Sequence, residues 1–176
     1  MPLAVLLVGI TGSGKTTVAQ ALADRDYTRL SVDEEVHRLH GRYGVDYPEH
    51  TYFERLRPVV EAIRARLVKE LGAGNDVVLD HGLWRRAERD SWQHTAREAG
   101  GHPVLVYLPA DREMLLRRLA ERNRREDANA LTVTPEALDD FFDRFDTPAD
   151  VEEVIVYTGD LDGLMMALSA ARHRQG

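Results

Sequence analysis

The chain contains no cysteine, and only 7 % of its 176 residues are aromatic. Without cysteine there is no disulfide framework and no thiolate metal site, and a reducing compartment is favoured. Long hydrophobic runs are missing as well: none reaches the roughly 18 residues of a membrane-spanning helix, and the short N-terminal run lacks the basic flank of a signal peptide. We therefore expect a soluble, cytoplasmic protein that has no membrane partner.

An excess of basic residues is also missing, because 23 lysines and arginines stand against 30 aspartates and glutamates, for a formal net charge of −7. The chain as a whole therefore has no general attraction to nucleic acid, which leaves only a local basic channel for such a partner. Its hydrophobic content of 43 % is enough for the core of one ordinary globular domain, which we expect to span residues 1–176. Nothing in the composition predicts an oligomeric state.

The most informative motif is GITGSGKT at residues 9–16, which fits G-x-x-x-x-G-K-[ST] without a mismatch. It follows an apolar run that predicts a buried strand and precedes a segment of helical composition. The glycines let backbone N–H groups turn toward phosphate oxygens, with Lys15 reaching the β- and γ-phosphates and the Thr16 hydroxyl placed to ligate Mg²⁺. The motif predicts binding of a nucleoside triphosphate, taken to be ATP. The predicted ligands here are Gly12, Ser13, Gly14, Lys15, Thr16 and Thr17.

Five strand-like runs alternate with segments of helical periodicity. The predicted strands are residues 3–8, 28–32, 76–80, 103–108 and 154–157. The predicted helices include residues 52–71, 86–99, 112–124, 135–145 and 160–172. Such alternation predicts an α/β fold in which a parallel sheet is covered on both faces.

Two carboxylates follow predicted strands, Asp33 after the second and Asp80 at the end of the third. Ligands of open α/β sheets bind at the carboxyl ends of the strands, so we expect both acids beside the motif at residues 9–16. Asp33 is placed to accept a proton from an acceptor hydroxyl that attacks the γ-phosphate, and its alternatives are a helix N-cap or an indirect Mg²⁺ contact. Asp80 is the predicted Mg²⁺ ligand through water, with the role of base as its alternative.

The acceptor site is predicted from residues near these acids. The irregular loop at 41–48 is expected to border the acceptor pocket, and Arg55, Trp84 and Arg85 are its candidate binding residues together with Asp33. Trp84 could instead cover the sheet edge, and Arg85 could lie at the solvated start of a helix. On that simpler interpretation the nearby charges pair at the surface, namely Arg85, Arg86 and Arg89 with Glu88 and Asp90. His81 is interpreted as a capping or loop histidine, because no second histidine stands at metal-ligand spacing.

Arginines are concentrated between residues 112 and 125, where three leucines predict a helix with one apolar face. Arg118, Arg122 and Arg125 lie four and three residues apart, and so share another face. A guanidinium binds phosphate oxygens bidentately and stacks on adenine, although a solvated basic helix is the alternative. Since the segment follows the fourth strand, we predict a lid at about residues 118–135 in which these three arginines bind ATP and Arg122 is also catalytic.

Taken together, the chain resembles the small P-loop kinases, the group that includes chloramphenicol phosphotransferase, zeta-toxin kinases and the kinase domain of polynucleotide kinase. The resemblance rests on residues 9–16, 31–33, 79–86 and 118–122. It implies a three-layer P-loop NTPase fold with a five-stranded parallel sheet in the order 2-3-1-4-5, and it implies Asp33 as the base and Arg118 and Arg122 as adenine-stacking and lid arginines. Val36 stands where polynucleotide kinases carry an arginine, which weakens the nucleic-acid hypothesis.

The leading hypothesis is therefore an ATP- and Mg²⁺-dependent kinase that moves the γ-phosphate of ATP to a hydroxyl of a small-molecule acceptor. The alternatives are a 5′-hydroxyl polynucleotide or RNA-repair kinase and a non-enzymatic nucleotide-dependent switch. The guanine-reading N-K-x-D pattern is absent from the sequence, and 176 residues leave little room for the helical subdomain of a ring ATPase. The sequence does not identify the acceptor.

Overall fold

The computed structural model describes residues 1–122, 124, 134–149 and 152–174. Within these residues one five-stranded sheet has the order β2-β3-β1-β4-β5, and all of its neighbouring strands are parallel. The fold class and the strand order implied by the resemblance are therefore confirmed. The strands are β1 (Leu3–Val8), β2 (Thr28–Ser31), β3 (Val77–Asp80), β4 (His102–Tyr107) and β5 (Val154–Val156).

Helices cover both faces of the sheet. They are α1 (Lys15–Ala23), α2 (Val32–His40), α3 (Tyr52–Gly72), α4 (Arg86–Glu98), α5 (Arg112–Arg122), α6 (Pro135–Arg144) and α7 (Leu161–His173), with a 3₁₀ turn at Glu49–Thr51. The five helices predicted after residue 50 begin and end within two residues of these bounds. None of the helices in the described part of the chain is long and apolar enough to cross a bilayer.

The central strand β1 explains why the fold has three layers. All six of its side chains are completely buried, as expected of a parallel strand that is covered on both faces. Because side chains alternate along a strand, Ala4, Leu6 and Val8 join one half of the core and Leu3, Val5 and Leu7 join the other. The first half includes residues of α3 and α4, and the second includes residues of α1 and α7.

The second strand ends one residue earlier than the sequence predicts. Ser31 has an extended backbone, and its hydroxyl accepts a hydrogen bond from the Glu34 N–H at 3.2 Å, so that Ser31 is the N-cap of α2. Val32 is therefore the first helical residue rather than the last strand residue. Asp33 lies in the first turn of α2, and its alternative role as the N-cap of this helix is wrong.

Candidate nucleotide and acceptor site

The phosphate loop, residues 9–16, joins β1 to α1 and depends on two glycines in the left-handed region of backbone space. Gly12 has a φ of +87° and Gly14 one of +101°, conformations that residues with a side chain rarely adopt. Gly14 is the N-cap of α1, yet no side chain in the described part of the chain caps this helix, and its first turn holds no acid. The N–H groups at its start are therefore not matched by a negative group of the helix, an arrangement that suits a bound anion.

Three side chains converge on the phosphate loop. Lys15 Nζ donates to two carbonyl oxygens at the start of the loop, each at 3.1 Å. From α5, Arg118 Nη1 donates to the carbonyl oxygen of Gly12, also at 3.1 Å. The Ser13 hydroxyl is buried and has no hydrogen-bond partner among the described residues. Because phosphate oxygens would accept from all three side chains, these residues fit a phosphate group.

The other predicted nucleotide ligands that the structure describes lie on α1 and α5. Thr16 and Thr17 are in the first turn of α1, Thr16 half-buried and Thr17 exposed. Arg122 is the last residue of α5. Arg125 lies outside the described residues, as does most of the predicted lid. The helix that leads into that lid, α5, nevertheless packs on the phosphate loop, in a buried cluster of Ile10, Leu115 and Leu119 together with Leu138 of α6.

Asp80 ends β3 beside the phosphate loop, and it is ion-paired. Arg29 Nη2, on the neighbouring strand β2, lies 2.8 Å from Oδ2 of Asp80 and 2.8 Å from a carboxylate oxygen of Glu34. Asp80 and Arg29 are both largely buried, with 6 % and 14 % of their side chains exposed. One oxygen of Asp80 is thus held by arginine, so the other is the atom best placed to meet a water or a metal.

The predicted base Asp33 lies near both the phosphate loop and a group of tyrosines. Its negative charge raises the pKa of Tyr47 and Tyr52, although burial raises both more strongly. The His81 imidazole has its pKa lowered, mainly by burial, and the charges of Asp33 and Lys15 act on it in opposite directions. His81 lies between β3 and α4, outside any helix or strand, and it is within electrostatic reach of the acid and the lysine of the site.

Trp84 and Arg85 lie in the turn between β3 and α4. The Trp84 ring contacts Phe141 of α6, with the ring centroids 4.9 Å apart, so it packs against the helix that follows the predicted lid. Arg85 is the N-cap of α4, where its N–H donates to Glu88 at 3.0 Å and its guanidinium is 3.6 Å from Asp146. The structure thus gives both residues a structural contact, and their role in acceptor binding stays a prediction.

Arg89 differs from its predicted surface pairing. Its side chain is completely buried, and Nε and Nη2 donate to the two carboxylate oxygens of Glu152 at 2.7 and 2.8 Å. Nη1 donates to the backbone carbonyl oxygens of Leu83 and Trp84, at 3.1 and 3.3 Å. The expectation that Arg89 pairs with Glu88 or Asp90 is therefore wrong, because α4 turns this residue toward the core together with Trp92.

Comparison of the sequence with known protein families shows which family the chain belongs to. The AAA domain family matches residues 5–148 of this chain. The chain belongs to the AAA domain family. This AAA domain protein is 31 % identical over 121 residues to a UPF0200 protein of Pyrobaculum aerophilum, covering 69 % of this chain and 67 % of the relative. It is 28 % identical over 135 residues to a nucleotide-binding protein of Xylella fastidiosa strain M12, covering 76 % of this chain but only 40 % of that longer relative.

Several solved structures with similar folds are described as kinases. A candidate kinase from Chloroflexus aurantiacus matches with a TM-score of 0.75 at 17 % identity, covering 99 % of this chain and 96 % of that one. A gluconokinase from Sinorhizobium meliloti has a TM-score of 0.62 at 20 % identity, covering 99 % and 93 %. A chain of the Pnkp1/Rnl/Hen1 RNA repair complex has a TM-score of 0.61 at 20 % identity, covering 86 % of this chain and 50 % of that one. The AAA domain protein therefore has the fold of a small P-loop kinase.

The contacts of Arg55 in this AAA domain protein were not predicted from the sequence. Arg55, on α3, donates from Nε to Thr51 and from Nη1 to Nδ1 of His40, both at 3.1 Å, and its guanidinium lies 5.1 Å from the centre of the Tyr47 ring. Arg55 thus joins the loop at 41–48 to α2 and α3. The four-residue spacing from Thr51 was visible in the sequence, whereas the aromatic contact required the loop to fold back.

Proposed function

We propose that this protein is a phosphotransferase that moves the γ-phosphate of ATP to a hydroxyl group of a small molecule. The observation that carries the proposal is the position of Asp33, in the helix that follows β2, at the same sheet edge as the phosphate loop and within electrostatic reach of His81 and the tyrosines. A phosphate loop alone serves many nucleotide-binding proteins. An acid that lies near both the phosphate loop and an aromatic surface favours transfer of the phosphate to an acceptor.

In the proposed reaction the acceptor oxygen attacks the γ-phosphorus and forms a new P–O bond. The bond between the γ-phosphorus and the bridging oxygen breaks, its electron pair stays with ADP, and the hydroxyl proton moves to the carboxylate of Asp33. Lys15 and the N–H groups of α1 stabilise the negative charge on the phosphates. Arg118 holds the nucleotide beside the loop, and Arg122 stabilises the group in transfer.

A bound Mg²⁺ would neutralise charge on the β- and γ-phosphates during this reaction. Among the residues that the structure describes, no group of three histidine, aspartate or glutamate side chains could hold a metal by itself. Mg²⁺ does not require one, because in kinases it keeps several waters and uses one or two protein ligands together with the phosphates. The Thr16 hydroxyl and the oxygen of Asp80 that does not contact Arg29 fit that role.

The first test uses the chain's two lysines. Lys15→Ala should abolish ATP-dependent phosphate transfer and weaken Mg-ATP binding severely, because the ammonium group is the loop's own cation for the phosphates. Titration calorimetry and an ADP-release assay with a panel of hydroxyl compounds measure both effects. Lys69→Ala, at the exposed end of α3, is the matched control and should leave them unchanged. Undiminished ATP affinity in Lys15→Ala, with an unchanged thermal melt, would contradict the proposal.

A second candidate function is a 5′-hydroxyl polynucleotide kinase, which the likeness to a chain of an RNA repair complex favours. An enzyme that follows a polynucleotide backbone releases counterions on binding, so its affinity for the acceptor falls steeply between about 50 and 200 mM salt. We expect the affinity for the acceptor to depend little on salt, because a small-molecule acceptor has no polynucleotide backbone for the protein to contact. Transfer to 5′-hydroxyl oligonucleotides, measured across that salt range, decides between the two: efficient transfer with a steep slope would favour the second candidate.

A further inference from the structure

An aromatic surface extends from the neighbourhood of Asp33 to the outside of the molecule. We name it the tyrosine cluster, and it consists of Tyr43, Tyr47, Tyr52 and Phe53. Successive rings meet edge to face, with centroids 6.2 Å apart for Tyr43 and Tyr47, 5.3 Å for Tyr43 and Tyr52, and 5.5 Å for Tyr52 and Phe53. The rings therefore form a continuous apolar surface.

The inner end of the cluster is fixed and its outer end is open. Tyr47 is 5 % exposed and packs in the core with Val36 and Val59, whereas Phe53 is 72 % exposed. Phe53 does not stand alone, because Leu39, Tyr43 and Val45 are exposed on the same segment of the chain. Large apolar side chains grouped at the surface in this way are typical of a binding site.

The charges around the cluster oppose an anionic ligand. Residues 33–55 contain six acids and three arginines. Salt bridges join three of these acids to arginines: Glu34 to Arg29 at 2.8 Å, Glu35 to Arg38 at 2.6 Å and Asp46 to Arg42 at 3.2 Å. Arg55 donates to neutral groups and lies over the Tyr47 ring. Even with Arg29 included, the six acids outnumber the four arginines, so the segment keeps an excess of negative charge that disfavours an anionic ligand.

From these observations we infer that the acceptor is an uncharged hydroxyl compound with an aromatic or other apolar ring, which lies on the tyrosine cluster and directs its hydroxyl toward Asp33. The inference rests on the proposed kinase function and narrows its acceptor. Edge-to-face and stacked contacts would hold the ring, while the acidic surroundings reject carboxylates, sugar phosphates and nucleic-acid backbones.

The inference is tested with three acceptors that carry the same two hydroxyls. They are phenylethane-1,2-diol, its para-carboxylate and propane-1,2-diol, which differ in charge and in the presence of a ring. The wild-type protein should phosphorylate the neutral aromatic diol with a kcat/KM about 3- to 10-fold above those of the other two compounds. This is the range that one aromatic contact provides. Equal or reversed rates for the carboxylate or the ringless diol would overturn the inference and leave the kinase function standing.

Two variants test where the ring of the acceptor lies. Phe53→Ala should remove most of the preference for the aromatic diol without changing ATP affinity, whereas Met166→Ala, a 74 % exposed residue on α7, should change neither. An unaltered preference in Phe53→Ala would contradict the inference. Loss of a dimer in this variant, seen by sedimentation of the wild type and the variant, would instead make the cluster an interface between two copies. Absence of transfer to any hydroxyl compound would overturn the proposed function itself.

Discussion

Asp33→Asn should lower kcat by about 10²- to 10⁴-fold at saturating ATP, the usual contribution of a general base. Asparagine keeps the size of the side chain, but it cannot accept the proton of the acceptor hydroxyl. ATP affinity should change little, because the phosphate loop and Lys15 are untouched. The fold should persist, because the cap of α2 is Ser31 and the substitution removes only one of three acids in the first turn of that helix. Steady-state kinetics and calorimetry measure the two quantities separately.

The matched control for this substitution is Glu35→Gln. Glu35 lies in the same turn of α2, and its hydrogen bonds with Arg38 hold the pKa of its carboxyl below the usual range. The variant therefore removes the same charge from the same turn, and kcat should be nearly unchanged. If Asp80→Asn lowers kcat more than Asp33→Asn does, with ATP and Mg²⁺ both saturating, Asp80 is the base and our assignment of the two acids is wrong.

The parts of the site that the sequence predicts well are those that depend on neighbouring residues. The phosphate loop requires glycines, a lysine and a threonine at fixed spacing, and the structure has Gly12 and Gly14 in the left-handed conformation that such a loop needs. The strand order was implied by resemblance, since alternating strands and helices alone are compatible with several orders. The end of β2 was missed by one residue because the Ser31 hydroxyl competes with strand pairing for the start of α2.

The parts that the sequence did not predict depend on pairs far apart in the chain. Asp80 meets Arg29 across 51 residues, and Arg89 meets Glu152 across 63. The residues next to each arginine in the sequence do not indicate which distant acid it pairs with. A signal was nevertheless present for Arg89, which is spaced three residues before Trp92, so that a helix with Trp92 inside must turn Arg89 in the same direction. An arginine on the apolar face of a helix indicates a buried acid elsewhere.

The buried pair of Arg89 and Glu152 leads to the prediction with the largest effect on stability. Arg89→Met should lower the free energy of unfolding by about 3–5 kcal/mol, because Glu152, only 5 % exposed, is left without its cation. The carbonyl oxygens of Leu83 and Trp84 also lose a donor. Urea denaturation measures the change. Arg86→Met, which breaks an exposed pair with Asp90 at 3.8 Å, is the control and should cost little.

Two further measurements separate the ion pair from simple packing. Hydrogen bonds from Arg89 lower the pKa of the Glu152 carboxyl in the folded protein, although burial opposes them. The pair therefore stabilises the fold above the unfolded pKa of about 4.3, and that stability is lost as the pH falls through the lower folded value. Glu152→Gln should lose less stability than the wild type over this acidic range. The double variant Arg89→Met, Glu152→Met should regain much of the loss, because no buried charge is left unpaired. Strictly additive losses in the double variant would contradict this account of the pair.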